Sequence, residues 1–112
     1  MARVNRLIEL LEQDQPVFAT STPALTHEAG VAGAQTTADF FIIDFEHHPF
    51  DMIGLRAFMQ GLVDGGPTRS GHRTPPVVVT LPVTGVSAEV VRANAWQLAH
   101  VLAAGVHGII LC

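Results

Sequence analysis

Asp44, Glu46, His47 and His48 place four ionisable side chains within five positions, directly after the apolar run Phe40, Phe41, Ile42, Ile43. The run has the β-branched and aromatic residues of a buried strand. Pro49 stops it, and Asp51 is placed to cap a following helix. Reactive groups of α/β enzymes stand at the carboxyl ends of parallel strands, where loops vary freely. An aspartate three residues from a histidine can orient the imidazole and stabilise its protonated form, which makes a usable general base. The plainer alternative has Asp44 and Glu46 capping backbone and both histidines solvated. Metal ligation by Glu46, His47 and His48 is less favoured, because adjacent ligands on one turn are awkward and zinc histidines are spaced further apart.

Other polar residues read as scaffold. His100 and His107 lie in or beside apolar segments and are expected to be partly buried. Trp96 is expected to pack. Arg69, His72 and Arg73 fall in the polar segment Gly65–Pro76, GGPTRSGHRTPP, expected to be an exposed loop although they could meet an anionic substrate. Cys112 ends an apolar segment and is expected to be an inert buried thiol. Neither GxGxxG nor GxxxxGK[ST] occurs, which excludes nucleotide binding by those routes.

Around these residues the sequence alternates strand and helix. Leu7, Ile8, Leu10 and Leu11 give a short amphipathic helix over Asn5–Gln13. PVFATST, Pro16–Thr22, reads as a strand ending in small hydroxyl residues. A glycine-containing helix follows over Ala24–Ala34, with Thr26 as its cap, and then the strand Phe40–Phe45. Met52, Leu55, Phe58, Met59 and Leu62 mark one buried face of a helix over Asp51–Asp64. A strand over Val77–Leu81 precedes a helix from Ser87 to about Ala104, with Val91, Ala95, Leu98, Val101 and Leu102 as its stripe. Val106–Cys112 is the last strand. Such alternation implies right-handed crossovers and a parallel sheet. Two architectures fit it: a small open four-stranded sheet, or the first half of a TIM (β/α)8 barrel of about 250 residues. Ending on an apolar strand favours the half-barrel, in one partial domain over residues 1–112.

The chain of 112 residues is 48% hydrophobic and only 14% charged, which favours assembly into a homo-oligomer. A formal charge of −4 and scattered arginines argue against nucleic acid and anionic membranes. Nothing approaches the roughly 20 apolar residues of a membrane span, and one cysteine permits no internal disulfide. A cytoplasmic protein is expected. The absence of lysine removes Schiff-base chemistry, so carbonyl chemistry must use a metal or hydrogen bonds.

DFFIIDFEHHPFD resembles the D-x-x-x-I-D-x-E-H-x-P pattern of the HpcH/HpaI aldolase family. PVFATST, VVVTLP and AGVHGIILC resemble flanking family segments in the same order, so the likeness spans residues 16 to 112. The resemblance implies a metal-dependent aldolase of phosphoenolpyruvate/pyruvate-type barrel fold, cleaving a 2-oxo acid to pyruvate plus an aldehyde. It implies His47 as acid/base, Asp44 as its orienting partner and Glu46 as a further site residue. Mg²⁺ or Mn²⁺ would be the cofactor, with no metal ligand in this segment. Thr80 stands where the family commonly has a substrate-contacting arginine, and Phe45 is bulkier than usual. A non-catalytic α/β fragment or interaction subunit is the other reading. The segment alone is expected to be catalytically poor.

Overall fold

The strand at Phe40–Asp44 (β2) lies inside a four-stranded parallel sheet in a computed structural model that describes residues 2–112. In chain order the elements are α1 (Arg6–Glu12), β1 (Ala19–Thr20), α2 (His27–Gly33), β2, α3 (Met52–Asp64), β3 (Val77–Thr80), α4 (Ala88–Ala93), α5 (Ala95–Ala103) and β4 (Gly108–Ile110). The strands lie in the order β1-β2-β3-β4, each beside its successor. Right-handed crossovers between such neighbours send all the connecting helices to one face.

Packing agrees with that face. Phe41, Ile43 and Phe45 alternate along β2 and beyond it, and Val77, Val79 and Leu81 do the same from β3. They meet Leu55, Phe58 and Leu62 of α3 and Val101 of α5 in the buried core. Phe41 and Phe58 cross edge to face with ring centres 5.4 Å apart. The opposite face carries Phe40, Ile42, Asp44 and Thr80, all half-buried, and the more exposed Ile110. Parallel register sets Asp44 beside Thr80 and Ile42 beside Val78.

Local signals explain the helix starts. Thr26, Asp51 and Ser87 each accept a backbone N–H three residues on, as expected, and Asn5 does so for α1. The glycines of α2 permit a close crossing: Gly30 and Gly61 face each other, and a methyl on either would press the other helix's backbone.

Several expectations are corrected. The helix from Ser87 to Ala104 is two helices, broken at Asn94, whose side chain turns back to the Val90 carbonyl at 2.9 Å. A short amide that competes for backbone in this way interrupts the helix. Ala95 and Leu102 are consequently exposed, outside the stripe expected for one continuous helix. β1 is only two residues, and β4 only three, with Leu111 and Cys112 exposed. In α1 only Leu10 is fully buried. The loop over 65–76 is not wholly solvated: His72 and Thr74 are buried. His72 bridges Glu9 of α1 (3.1 Å) and Ser70 (2.7 Å), while Arg69 and Arg73 stay exposed.

No helix among the described residues is long and apolar enough to cross a membrane.

Candidate functional site

Phe45 determines how the carboxyl end of β2 is presented. Its ring is buried among the core side chains and packs edge to face on Phe50 at 5.2 Å. That anchor turns Asp44 and Glu46 away from the helices, because neighbours on an extended chain point oppositely. The bulk at this position is therefore a support.

Asp44 is held from several sides. Its Oδ1 accepts the Glu46 N–H (2.9 Å), the His47 N–H (3.1 Å) and the Thr80 hydroxyl (2.8 Å). The first two bonds make the Asx-type turn that a short carboxylate forms with its own backbone. The third crosses from β3 and follows from the Asp44–Thr80 register. Oδ2 meets His47 Nδ1 at 2.9 Å, with His48 Nδ1 at 3.7 Å. These bonds, the His47 contact first and Thr80 next, hold the Asp44 carboxyl well below the usual carboxylate range.

A carboxylate kept ionised has no proton to give, so His47 Nδ1 is the donor. The neutral ring then has its basic lone pair on Nε2. The hydrogen bond to Asp44, its charge and the charge of Glu46 raise the His47 pKa above the ordinary histidine value. Nε2 stands 3.8 Å from Glu46 Oε1, and the His47 side chain is 70% exposed. The result is an oriented, accessible imidazole with raised basicity, which is the equipment of a general acid/base.

A cavity of about 400 Å³ adjoins this edge. Its lining includes Ser21, Thr22, Ile42, Asp44 and His48, so the end of β1 contributes two hydroxyls beside the carboxylate. The hydroxyl ending of PVFATST was the sequence signal for Ser21 and Thr22.

Of the expected site residues, Asp44, Glu46, His47 and Thr80 come together. Thr80 reaches Asp44, and its hydroxyl also lies 3.4 Å from the Glu46 N–H, which makes it a support for the pair. Cys112 is exposed, contrary to the expected buried thiol, and hydrogen bonding to Glu46 pushes its pKa up. Trp96 packs on Phe50 and His100 but remains half exposed, and His100 is exposed instead of partly buried.

Asp44, Glu46 and His47 can offer one ligand atom each within 4.8 Å of one another. The donor set does not complete a catalytic zinc centre. Asp44 is committed to four hydrogen bonds and His47 Nδ1 to one of them. Glu46 and His47 Nε2 are what is left of the cluster, fewer than the three protein ligands of a catalytic zinc site.

Searches against protein-family models, curated proteins and solved structures found no match to the chain.

Proposed function

We propose that this chain is the N-terminal half of a (β/α) barrel lyase that cleaves a 2-oxo acid to pyruvate and an aldehyde. The observation that carries the reading is the Asp44–His47 pair at the carboxyl end of β2, with Nδ1 bound and Nε2 open. The strand order supports it too: a barrel needs each parallel strand beside its successor, whereas doubly wound sheets reverse order at a switch point.

In a 4-hydroxy-2-oxo acid, His47 Nε2 takes the hydroxyl proton, through water. The carbon–carbon bond breaks, its electrons form the pyruvate enolate, and the aldehyde leaves. The same imidazole then returns the proton to the enolate carbon. Asp44 keeps the ring in one tautomer, and Glu46 beside Nε2 favours its charged form. The chain has no lysine for a Schiff base, so this reading assigns the 2-oxo group to Mg²⁺ or Mn²⁺ held by residues outside this chain segment. A cytoplasmic homo-oligomer fits the composition.

The test is exchange of pyruvate methyl protons in D2O, followed by NMR with Mg²⁺ or Mn²⁺. The complete protein carrying this segment should exchange them, and His47→Ala should slow exchange about a hundredfold or more with the fold intact. Residues 1–112 alone should not exchange them. Equal exchange in the variant would refute the role of His47.

The non-catalytic reading has its own support in the half-buried Phe40 and Ile42 and the exposed Ile110 and Leu111. Apolar groups left on a sheet face and edge suit assembly. Light scattering on residues 1–112 distinguishes a self-associating subunit from a monomer.

A further inference from the structure

A second cavity, of about 420 Å³, lies at the other end of the strands. Arg73 and Thr74 reach it from the segment before β3, and Gly105 and His107 from the turn before β4. Arg56 and Gln60 of α3 complete its polar wall, and Met59, Val63 and Ala104 are among its apolar lining. No aspartate or glutamate lines it. In a chain with a formal charge of −4, a pocket lined by two arginines and no acidic residue stands out.

The arginines of this chain differ in how they are used. Arg3 is paired with Glu12 at 2.7 Å and Arg6 with Asp39 at 3.5 Å. Among the described residues, Arg56, Arg69, Arg73 and Arg92 have neither an ion pair nor a side-chain hydrogen bond and are exposed, and of these four Arg56 and Arg73 line this cavity. Their donors are free for a ligand.

His107 supplies a third donor of fixed direction. Gly105, at φ 100, turns the chain out of α5, and His107 then lies beside the start of β3. Its backbone N–H donates to the Val77 carbonyl at 2.8 Å. Its Nδ1 accepts the Val77 N–H at 3.0 Å, which places the ring hydrogen of the neutral imidazole on Nε2. Loss of water around the ring pushes its pKa below the ordinary histidine value, although the residue as a whole stays open to solvent. At neutral pH the ring is therefore an oriented N–H donor.

We propose that this cavity binds a phosphate monoester with a small apolar body, the phosphate on Arg56, Arg73 and the Nε2 hydrogen of His107, the body on Met59, Val63 and Ala104. Guanidinium groups match phosphate oxygens in charge and geometry. A few polar groups over an apolar floor is the usual make-up of a small-molecule site. The site lies away from Asp44 and His47, and the inference does not depend on the lyase reading.

Phenyl phosphate is the probe, followed by titration calorimetry and by the His107 ring signals in NMR. Saturable binding that shifts those signals is expected. Arg56→Gln and Arg73→Gln should each weaken it about tenfold, as loss of a charged hydrogen bond does, and the double variant should abolish it. Both side chains are exposed, so the variants should fold, with circular dichroism as the check. Inorganic phosphate and benzoate should bind more weakly, the first lacking the body and the second a charge. His47→Ala should leave binding unchanged. Failure of phenyl phosphate to saturate, or equal binding by the double variant, would overturn the site. Inorganic phosphate binding as tightly as the ester would overturn the ligand class.

Discussion

Two aspartate–histidine pairs at hydrogen-bond distance among the described residues are similar in composition and very different in setting. His27 Nε2 meets Asp64 at 2.6 Å, joining the start of α2 to the end of α3. His47 Nδ1 meets Asp44 at 2.9 Å where β2 ends. Both are solvent-accessible, and each histidine lowers the pKa of its aspartate. The difference lies in what surrounds the carboxylate. Asp64 has one further side-chain partner, Gln60 on its own helix. Asp44 has two backbone donors and a hydroxyl from the neighbouring strand, and it cannot turn without losing them. A pair becomes a candidate for chemistry when its carboxylate is fixed before substrate arrives.

The largest expected effect comes from removing the charge at that fixed position. In the complete protein carrying this segment, Asp44→Asn should reduce pyruvate exchange about a hundredfold, because the amide can present the wrong hydrogen-bonding group to Nδ1. It should also bring the His47 pKa down toward the usual histidine value, read from the ring signals over pH. The pH dependence follows from the two shifts. The lowered Asp44 pKa gives stability present above about pH 4, lost as pH falls through its folded value. The raised His47 pKa gives stability fully present below about pH 6.5, lost as pH rises through its folded value. The pair is therefore strongest between those limits, whereas base catalysis by neutral His47 should rise as pH passes through its raised pKa and level off above it. A wild-type rate rising at ordinary histidine pH, with no displacement in Asp44→Asn, would break the distinction between the pairs.

Next in size is a packing change beneath the other pair. Gly61 lies against the α2 backbone, and its added methyl would come within 2.9 Å of the Gly30 Cα. Gly61→Ala should cost about 1–3 kcal/mol as the crowded helices move apart, measured by urea unfolding. The cost belongs to the glycine crossing.

A smaller effect is expected at Thr80. Thr80→Val keeps the shape and removes the hydroxyl that reaches Asp44 from β3. The Asp44 pKa should rise, and exchange should slow by a few-fold, with the backbone donors still in place. A loss as large as that of Asp44→Asn would instead point to substrate contact by Thr80.

Those residues also separate what was legible in the sequence from what was not. The Phe40–Ile43 run, the buried face of α3 and the caps at Thr26, Asp51 and Ser87 depend on neighbours within a few positions, so residue type and spacing revealed them. The nearness of Asp44 and His47 was legible for the same reason. The family resemblance named Thr80, but its bond to Asp44, 36 residues away, comes only from the register between strands. His72 looked solvated among Gly, Ser and Arg because its partner Glu9 is 63 residues away. Asn94 is a different miss: the competing amide was visible, but the apolar stripe on both sides outweighed it.

The smallest expected effect is the one that most sharpens the comparison. His27→Ala removes the shorter of the two aspartate–histidine contacts, at 2.6 Å. Distance alone would make it the costlier loss. Both side chains are about half exposed, however, at 52% and 46%, and water and salt screen such a pair. Gly30 against Gly61 still holds α2 on α3 without it. Thermal unfolding should therefore be unchanged within error, and pyruvate exchange should equal that of the unaltered protein. A substantial loss of stability would mean that the ion pair, and not the glycine crossing, joins these helices. A loss of exchange would mean that the pair between the helices is coupled to the end of β2, and the contrast drawn from the surroundings of the two aspartates would fail.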